Sequence, residues 1–314
     1  MIIGIDVGGA NVKIWRGKAE SYYFPFWKRK DEFSDFLRSL EISGEKVGVV
    51  ITAELSDAFR SKEEGVLFVA NSLRESVSGD LYFLDLDGNL RREIDNPLNF
   101  SAANWVASVK YLATFYDNFV FVDLGSTTCD VIPFSGEILA AKTDYERLKR
   151  GELLYFGMLR TPLCYLLSYR DISSEFFSIS GDAMRVLGVI GEEEYSCETP
   201  DGRGKSVEEC MQRISRQFCS DLNEIGEDEV RKVAKEVYEV MVAKIEKAVG
   251  EKIERYGIER VVGCGMGEAL IEDASKRLGV EYVSISKKFG EEVSKIFPAF
   301  AVAELLRDDS KDRR

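Results

Sequence analysis

Histidine is absent from the 314-residue chain. That absence excludes Ser-His-Asp and Cys-His nucleophilic catalysis, a histidine general base, and zinc sites that depend on imidazole. Acid–base or metal chemistry must therefore run on carboxylates, with lysine, tyrosine or cysteine in lesser roles. There is no Cys-x-x-Cys pair either: Cys129, Cys164, Cys197, Cys210, Cys219 and Cys264 are scattered, and in a chain of this length they read as reduced, mostly buried thiols. No apolar run is long enough to cross a bilayer, and the opening Ile2-Ile3-Gly4-Ile5 lacks the basic start of a secretory leader. The cytoplasm is the expected compartment.

Positive charge is in deficit, with 42 lysines and arginines against 55 aspartates and glutamates, a net charge of −13. Such a field repels a nucleic-acid backbone or an anionic membrane, so neither is expected as a partner. A small phosphorylated ligand stays compatible, because backbone N–H groups and a bound cation hold it whatever the global charge. What is present is ordinary globular material, 45% apolar and 31% charged. The length suits two lobes around one cleft.

The chain repeats itself once over a short stretch. Ile3-Gly4-Ile5-Asp6-Val7-Gly8-Gly9-Ala10-Asn11-Val12-Lys13-Ile14 aligns with Val120-Phe121-Val122-Asp123-Leu124-Gly125-Ser126-Thr127-Thr128-Cys129-Asp130-Val131. Each copy reads as a buried strand, a tight turn, and a second strand paired back on the first. An aspartate ending a buried strand points into the turn, where it can ligate a hard cation directly or through water. The glycine two residues on lets backbone approach a phosphate, and the turn amides then face its oxygens. Gly8, Gly9, Ala10 and Asn11 in the first copy, and Gly125, Ser126, Thr127 and Thr128 in the second, are the expected phosphate cradles. One Asp-x-Gly turn alone is usually plain hairpin chemistry; two copies after apolar strands, separated by a domain's worth of chain, favour a binding role.

A third glycine element, Gly263-Cys264-Gly265-Met266-Gly267, reads as strand, turn and helix start. It could lay a nucleotide or other flat group against bare backbone, though its spacing is not the dinucleotide fingerprint. Asp201-Gly202-Arg203-Gly204-Lys205-Ser206 fails as a P-loop, since Thr199 stands where a glycine is needed. It reads equally as a solvated loop or as a mobile lid bringing Arg203 and Lys205 to an anionic substrate.

Helical spacing predicts helices over Asp31–Leu40, Asn99–Tyr116, Glu227–Tyr256 and Glu291–Leu306, the last interrupted at Pro298. Lys46–Thr52 reads as a core strand, followed by Glu54 and Asp57, which would lie beside Asp6 if the two strands are neighbours. The expected fold is α/β, with residues 1–100 as a first lobe completed by a C-terminal helix over 296–314. Residues 101–295 form the second lobe, with a substrate region inserted at about 141–225. The small-residue face of the 99–116 helix suggests packing between lobes, and hinge closure over a central cleft follows. The charged tail from Arg307 to Arg314 is expected to fray.

In this order, the two hairpins, the intervening helix and the Gly263 turn resemble the two-lobed actin-like ATPase (ribonuclease H-like) superfold, in its hydantoinase A/oxoprolinase-like branch. A closer likeness runs along nearly the whole chain, through Ile5-Asp6-Val7-Gly8-Gly9-Ala10-Asn11, Thr52-Ala53-Glu54-Leu55-Ser56-Asp57, Ala103-Asn104-Trp105, Asp123-Leu124-Gly125-Ser126-Thr127-Thr128, Arg160-Thr161-Pro162 and the Asp201–Ser206 run. These are similar to archaeal proteins labelled as tetrahydromethanopterin-linked one-carbon-transfer pathway proteins, among them the furan-methanamine synthases of methanofuran biosynthesis. That resemblance implies a transferase condensing an aminomethylfuran-methanol diphosphate with the phenol of γ-glutamyltyramine. Its partners would be a small phosphorylated substrate and a phenolic co-substrate; a homodimer is left open.

On this reading Asp6 and Asp123 hold Mg²⁺, the two turns cradle diphosphate, and Glu54 or Asp57 accepts the phenol proton. Lys13, Arg160, Arg203 or Lys205 supplies a nearby cation. The alternative is an ATP-dependent small-molecule kinase or amide-activating hydrolase, with adenosine at Gly263, Gly265 and Gly267.

Overall fold

A computed structural model describes residues 1–312, with side chains through Asp309. It divides into two compact units. The first comprises Met1–Asn118, Phe134–Glu146 and the chain from Ile285 onward; the second comprises Phe119–Pro133 and Arg147–Ser284.

In the first unit β1 (Ile2–Gly8), β2 (Asn11–Trp15), β3 (Ala19–Tyr23), β4 (Ser43–Thr52), β5 (Ser78–Leu84) and β6 (Leu90–Arg91) form one sheet, ordered β3-β2-β1-β4-β5-β6. A second sheet takes β7 (Asn118–Leu124), β8 (Cys129–Ser135), β10 (Leu153–Leu154), β11 (Arg260–Cys264) and β12 (Glu281–Ser284) in the order β10-β8-β7-β11-β12, with β9 (Glu137–Ile138) on the end of β8. The sequence repeat thus extends to topology. Each sheet centres on a hairpin whose first strand has a parallel neighbour, β4 beside β1 and β11 beside β7, and a further parallel strand beyond it. Strands buried on both faces read as apolar runs, which is why β1, β4 and β7 are Val- and Ile-rich.

The helix Phe297–Asp312 lies against β1 and β4. Gly4 and Gly48 stand opposite each other on these strands. A Cβ on Gly4 would lie 1.8 Å from the Ala299 carbonyl oxygen, and one on Gly48 would lie 3.0 Å from that of Val302. Bare backbone here lets helix and sheet approach closely. The break before this helix falls at Ile296, not at the expected Pro298. Pro298 occupies the first turn, where its missing N–H leaves no bond unmade. The expected frayed tail is helical through residue 312, and residues 313–314 lie outside the described residues.

The expected 99–116 helix is shorter. Pro97–Phe100 is a 3₁₀ turn, Ala102 takes a left-handed φ of 52°, and the helix runs Asn104–Leu112. It packs on the Phe297–Asp312 helix, with Tyr111 edge-on to Phe300 at 5.5 Å, so it is an element of the first unit. Glu227–Tyr256 forms as expected, burying Val230, Val233, Ala234, Val237, Met241 and Ile245 and ending at Gly257 with φ 64°.

Candidate active site

The first hairpin presents Asp6 at the end of β1, only 4% exposed, with the Thr52 hydroxyl donating to its Oδ1 at 3.4 Å. Lys13 pairs with Asp6 across the antiparallel strands, so both side chains leave the same face of the sheet. The Gly9 and Ala10 carbonyls accept from the Phe26 and Phe24 amides at 3.0 and 2.9 Å. No peptide bond is cis, and across a trans peptide N–H and C=O point oppositely. The Ala10 and Asn11 N–H groups therefore turn away from the phenylalanines. A Cβ on Gly9 would meet nothing within 4 Å, whereas one on Gly8 would lie 3.0 Å from the Asn11 carbonyl. Gly8 is thus required by the hairpin itself, and Gly9 opens space.

The second hairpin repeats this device. Gly125 N–H closes the turn on the Thr128 carbonyl at 3.0 Å. The Gly125 carbonyl accepts from Met158 at 2.9 Å, and the Ser126 carbonyl accepts from Leu159 and Arg160 at 3.0 and 3.2 Å. By the same trans geometry the Ser126 and Thr127 N–H groups turn away from that segment. Gly157 makes the close approach feasible, since a Cβ there would lie 2.4 Å from Thr127 N. Arg160, half-buried, is thereby set against the turn.

Gly265, Gly263 and Gly267 are explained without a nucleotide. Gly265 has φ 92°, and a Cβ on it would lie 2.6 Å from Oδ1 of Asp123 and 2.5 Å from the Leu124 carbonyl. Added carbons on Gly263 and Gly267 would meet the Tyr282 ring at 2.8 Å and the Leu124 side chain at 2.1 Å. These glycines let β11 and the helix Glu268–Leu278 close on their neighbours, while Gly265 itself is half-buried.

Glu54 stands just past β4. It is 2% exposed, accepts from the Ser101 hydroxyl at 2.7 Å through Oε1, and has no partner for Oε2 among the described residues. Burial pushes its pKa up to about 7, against the lowering effect of the Ser101 bond. Gly65 in the helix Lys62–Ser76 makes this burial close: a Cβ there would lie 2.6 Å from the Glu54 Cα. Asp57 is exposed in the following loop. Of these two carboxylates Glu54 is the one held in a dry site, with an oxygen that has no partner among the described residues.

The Asp201–Ser206 run is tied down and is not a free lid. Arg213, fully buried, bonds Asp182 at 2.9 Å, Asp201 at 3.1 Å and the Gly204 carbonyl at 3.0 Å. Ser206 caps the helix Val207–Gln217 in a reciprocal box with Glu209. Lys205 donates to the Tyr195 carbonyl and lies over the Tyr195 ring at 5.3 Å, so its charge is engaged within the unit. Arg203 is exposed.

Sequence reasoning missed Ser101, 47 residues from the carboxylate it serves. It follows from a non-local bridge between Ile51 and Ser101 and from the left-handed Ala102 beside it, neither of which has a local signal. Also missed was a cavity of about 160 Å³ lined by Thr127, Tyr155, Arg160, Thr161, Pro162 and Tyr165.

A hydantoinase/oxoprolinase family model matches residues 45–309. The chain is 39% identical over 324 aligned residues, 98% of each chain, to a protein of Methanocaldococcus jannaschii named (4-{4-[2-(gamma-L-glutamylamino)ethyl]phenoxymethyl}furan-2-yl)methanamine synthase. A Methanococcus vannielii protein of the same name is 41% identical over 61% of this chain and 92% of its own. Among solved structures, the ethanolamine utilization protein EutJ of Carboxydothermus hydrogenoformans aligns at TM-score 0.49 and 13% identity, over 96% of this chain and 88% of that one. The two repeated sheets, each a hairpin flanked by parallel strands, give the chain an α/β fold. With a match spanning most of its length and a full-length relative at this identity, the chain belongs to the hydantoinase/oxoprolinase family.

Proposed function

We infer that the chain is a furan-methanamine synthase, joining an aminomethylfuran-methanol diphosphate to the phenol of γ-glutamyltyramine with release of diphosphate. The observation that carries this reading is the likeness along 98% of both chains to a relative named for that product. The name specifies a phenoxymethyl ether, so the bond made joins a phenol oxygen to a furan-bound CH₂. One C–O bond forms, the C–O bond to diphosphate breaks, and the phenol gives up its proton.

Glu54 suits the proton transfer. A phenol's reference pKa is about 10, and raising the base from 4.5 to about 7 narrows the mismatch to about three pKa units. Its unengaged Oε2 is the accepting atom. Partial phenolate character in the transition state covers the rest, with Lys13 as the cation on the Asp6 face. The amides of Ser126 and Thr127 suit the departing diphosphate, with the hydroxyls of Ser126, Thr127 and Thr128 as added donors, and the Ala10 and Asn11 amides offer the same kind of anion contact in their own unit.

Asp6 and Asp123 fit magnesium as a guest arriving with its phosphates. Mg²⁺ usually takes one or two carboxylates and completes its shell with water and phosphate oxygens. Among the described residues no three acidic, cysteine or histidine groups form an all-protein cage, while each hairpin offers one strand-end carboxylate beside outward amides. When bound, the ion offsets the charge that develops on the leaving diphosphate. The close packing of Tyr282 and Leu124 beside Gly263 and Gly267 accounts for two of these glycines without a nucleotide.

The test is to incubate purified protein with the furan diphosphate, γ-glutamyltyramine and Mg²⁺ and measure the ether by mass. Ether formation with stoichiometric diphosphate is expected. No ether, together with turnover of Mg-ATP, would sink the reading.

A further inference from the structure

The cavity beside the second hairpin has a composition that the phosphate cradle does not explain. Of its lining residues, Thr127 belongs to the turn and Arg160 is anchored to the turn through its backbone. Thr161 is consumed internally, its Oγ1 accepting from Gly157 N–H at 2.9 Å and donating to the Gly157 carbonyl at 3.3 Å. The remaining walls are Tyr155, Pro162 and Tyr165. Both tyrosines are more than half exposed, at 57% and 53%, so their rings are open to a ligand at one cavity. Lys244 lies over the Tyr165 ring at 5.3 Å, which orders that ring without burying it.

Size and chemistry both limit the occupant. The cavity measures about 160 Å³, and an apolar cavity of about 150 Å³ accommodates one benzene ring. It has room for one flat ring against Tyr155, Pro162 and Tyr165 and is open to one side, so an anionic group on that ring can reach Thr127 and Arg160. The lining contains no carboxylate. A phenol placed here would have no group to accept its proton, whereas a furan carrying a CH₂-diphosphate needs none and puts its phosphates on the turn.

We propose that Tyr155, Pro162 and Tyr165 form the subsite for the furan ring of the diphosphate donor, with Arg160 contacting its leaving group. This rests on the synthase reading above and adds which substrate occupies which wall. The donor's aminomethyl cation would then face tyrosine rings, a favourable arrangement for an ammonium group. The phenolic substrate binds elsewhere, at the base.

Saturation-transfer NMR on the full chain with the furan diphosphate and Mg²⁺, and no acceptor, tests the subsite without turnover. The furan protons should receive saturation in the wild type, lose most of it in the Tyr155→Ala/Tyr165→Ala variant, and keep it in the corresponding double phenylalanine variant. Because both rings are exposed, neither change should unfold the protein, which circular dichroism checks. In the ether assay the alanine variant should raise KM for the donor about tenfold and leave KM for γ-glutamyltyramine unchanged. Unaltered furan saturation in the alanine variant, or saturation of the tyramine ring in its place, overturns the subsite even if ether is formed. Furan saturation that depends on these tyrosines supports it even if the ether assay fails and the synthase reading falls.

Discussion

The two hairpins are copies with different surroundings. Asp6 faces Lys13 across its strand pair, whereas the residue aligned with Lys13 in the second copy is Asp130, which is buried and ion-paired with the fully buried Arg147. The first copy has kept a cation on the working face; the second has converted that position to a structural pair that fixes β8. Four residues past the strand partner of each aspartate stands a glutamate, Glu54 in one unit and Glu268 in the other. Glu268 accepts from Ser284 at 2.5 Å and from Tyr282 at 3.4 Å. Glu54 has only Ser101 on one oxygen. The same acid stands at matching places in the two sheets, and its neighbours differ: Glu268 is engaged by two hydroxyls, and Glu54 keeps one oxygen without a partner among the described residues.

The largest effect should separate those glutamates. Glu54→Gln is expected to lower kcat for ether formation by about 10²- to 10⁴-fold, while Glu268→Gln, measured in the same assay, should cost less than about threefold. Comparable losses in both would mean that burial does not distinguish them.

The same substitution should act oppositely on stability. Glu54 has its folded pKa raised to about 7 from 4.5, so the stability it contributes is complete below pH 4.5 and is lost as pH rises through 7. Glu54→Gln should therefore be more stable than the wild type by about 3 kcal/mol above pH 7, with the gain vanishing below pH 4.5. Urea unfolding at pH 4 and pH 8 measures this directly; a gain that is equal at both values would contradict the shift. In the wild type, kcat/KM should rise with pH and level off above about 7.

The turn glycines give a smaller contrast. Gly265→Ala forces a side chain onto φ 92° and against Asp123, and should cost about 1–3 kcal/mol in thermal unfolding. Gly9→Ala meets empty space. It should leave stability within about 0.5 kcal/mol of the wild type and weaken the donor alone, read as a raised KM.

Much of this was legible in the sequence where a residue acts through its immediate neighbours. The apolar run before Asp6, the glycine after it and their echo at Asp123 encode strand, turn and carboxylate locally, and the 30-residue helix Glu227–Tyr256 declares itself by period. Glu54 was visible as a candidate, but its preference over Asp57 depends on Gly65 and Ser101, which only the fold brings to it. The helix after residue 99 was placed too early because a left-handed alanine at 102 has no sequence signature. Tyr155 stands in irregular chain and Tyr165 in a helix of only four residues, Leu163–Leu166, so neither belongs to a periodic pattern. Lys205 looked like a substrate cation until its partner Tyr195 was in view.

Asp6→Asn and Asp123→Asn, each read as kcat/KM for the furan diphosphate across a Mg²⁺ titration, test most directly whether the repeated carboxylates serve the leaving group. Each change should cost about 10²- to 10³-fold and raise the Mg²⁺ needed for half-maximal rate. An unchanged kcat/KM and an unchanged Mg²⁺ requirement in both variants would contradict the account.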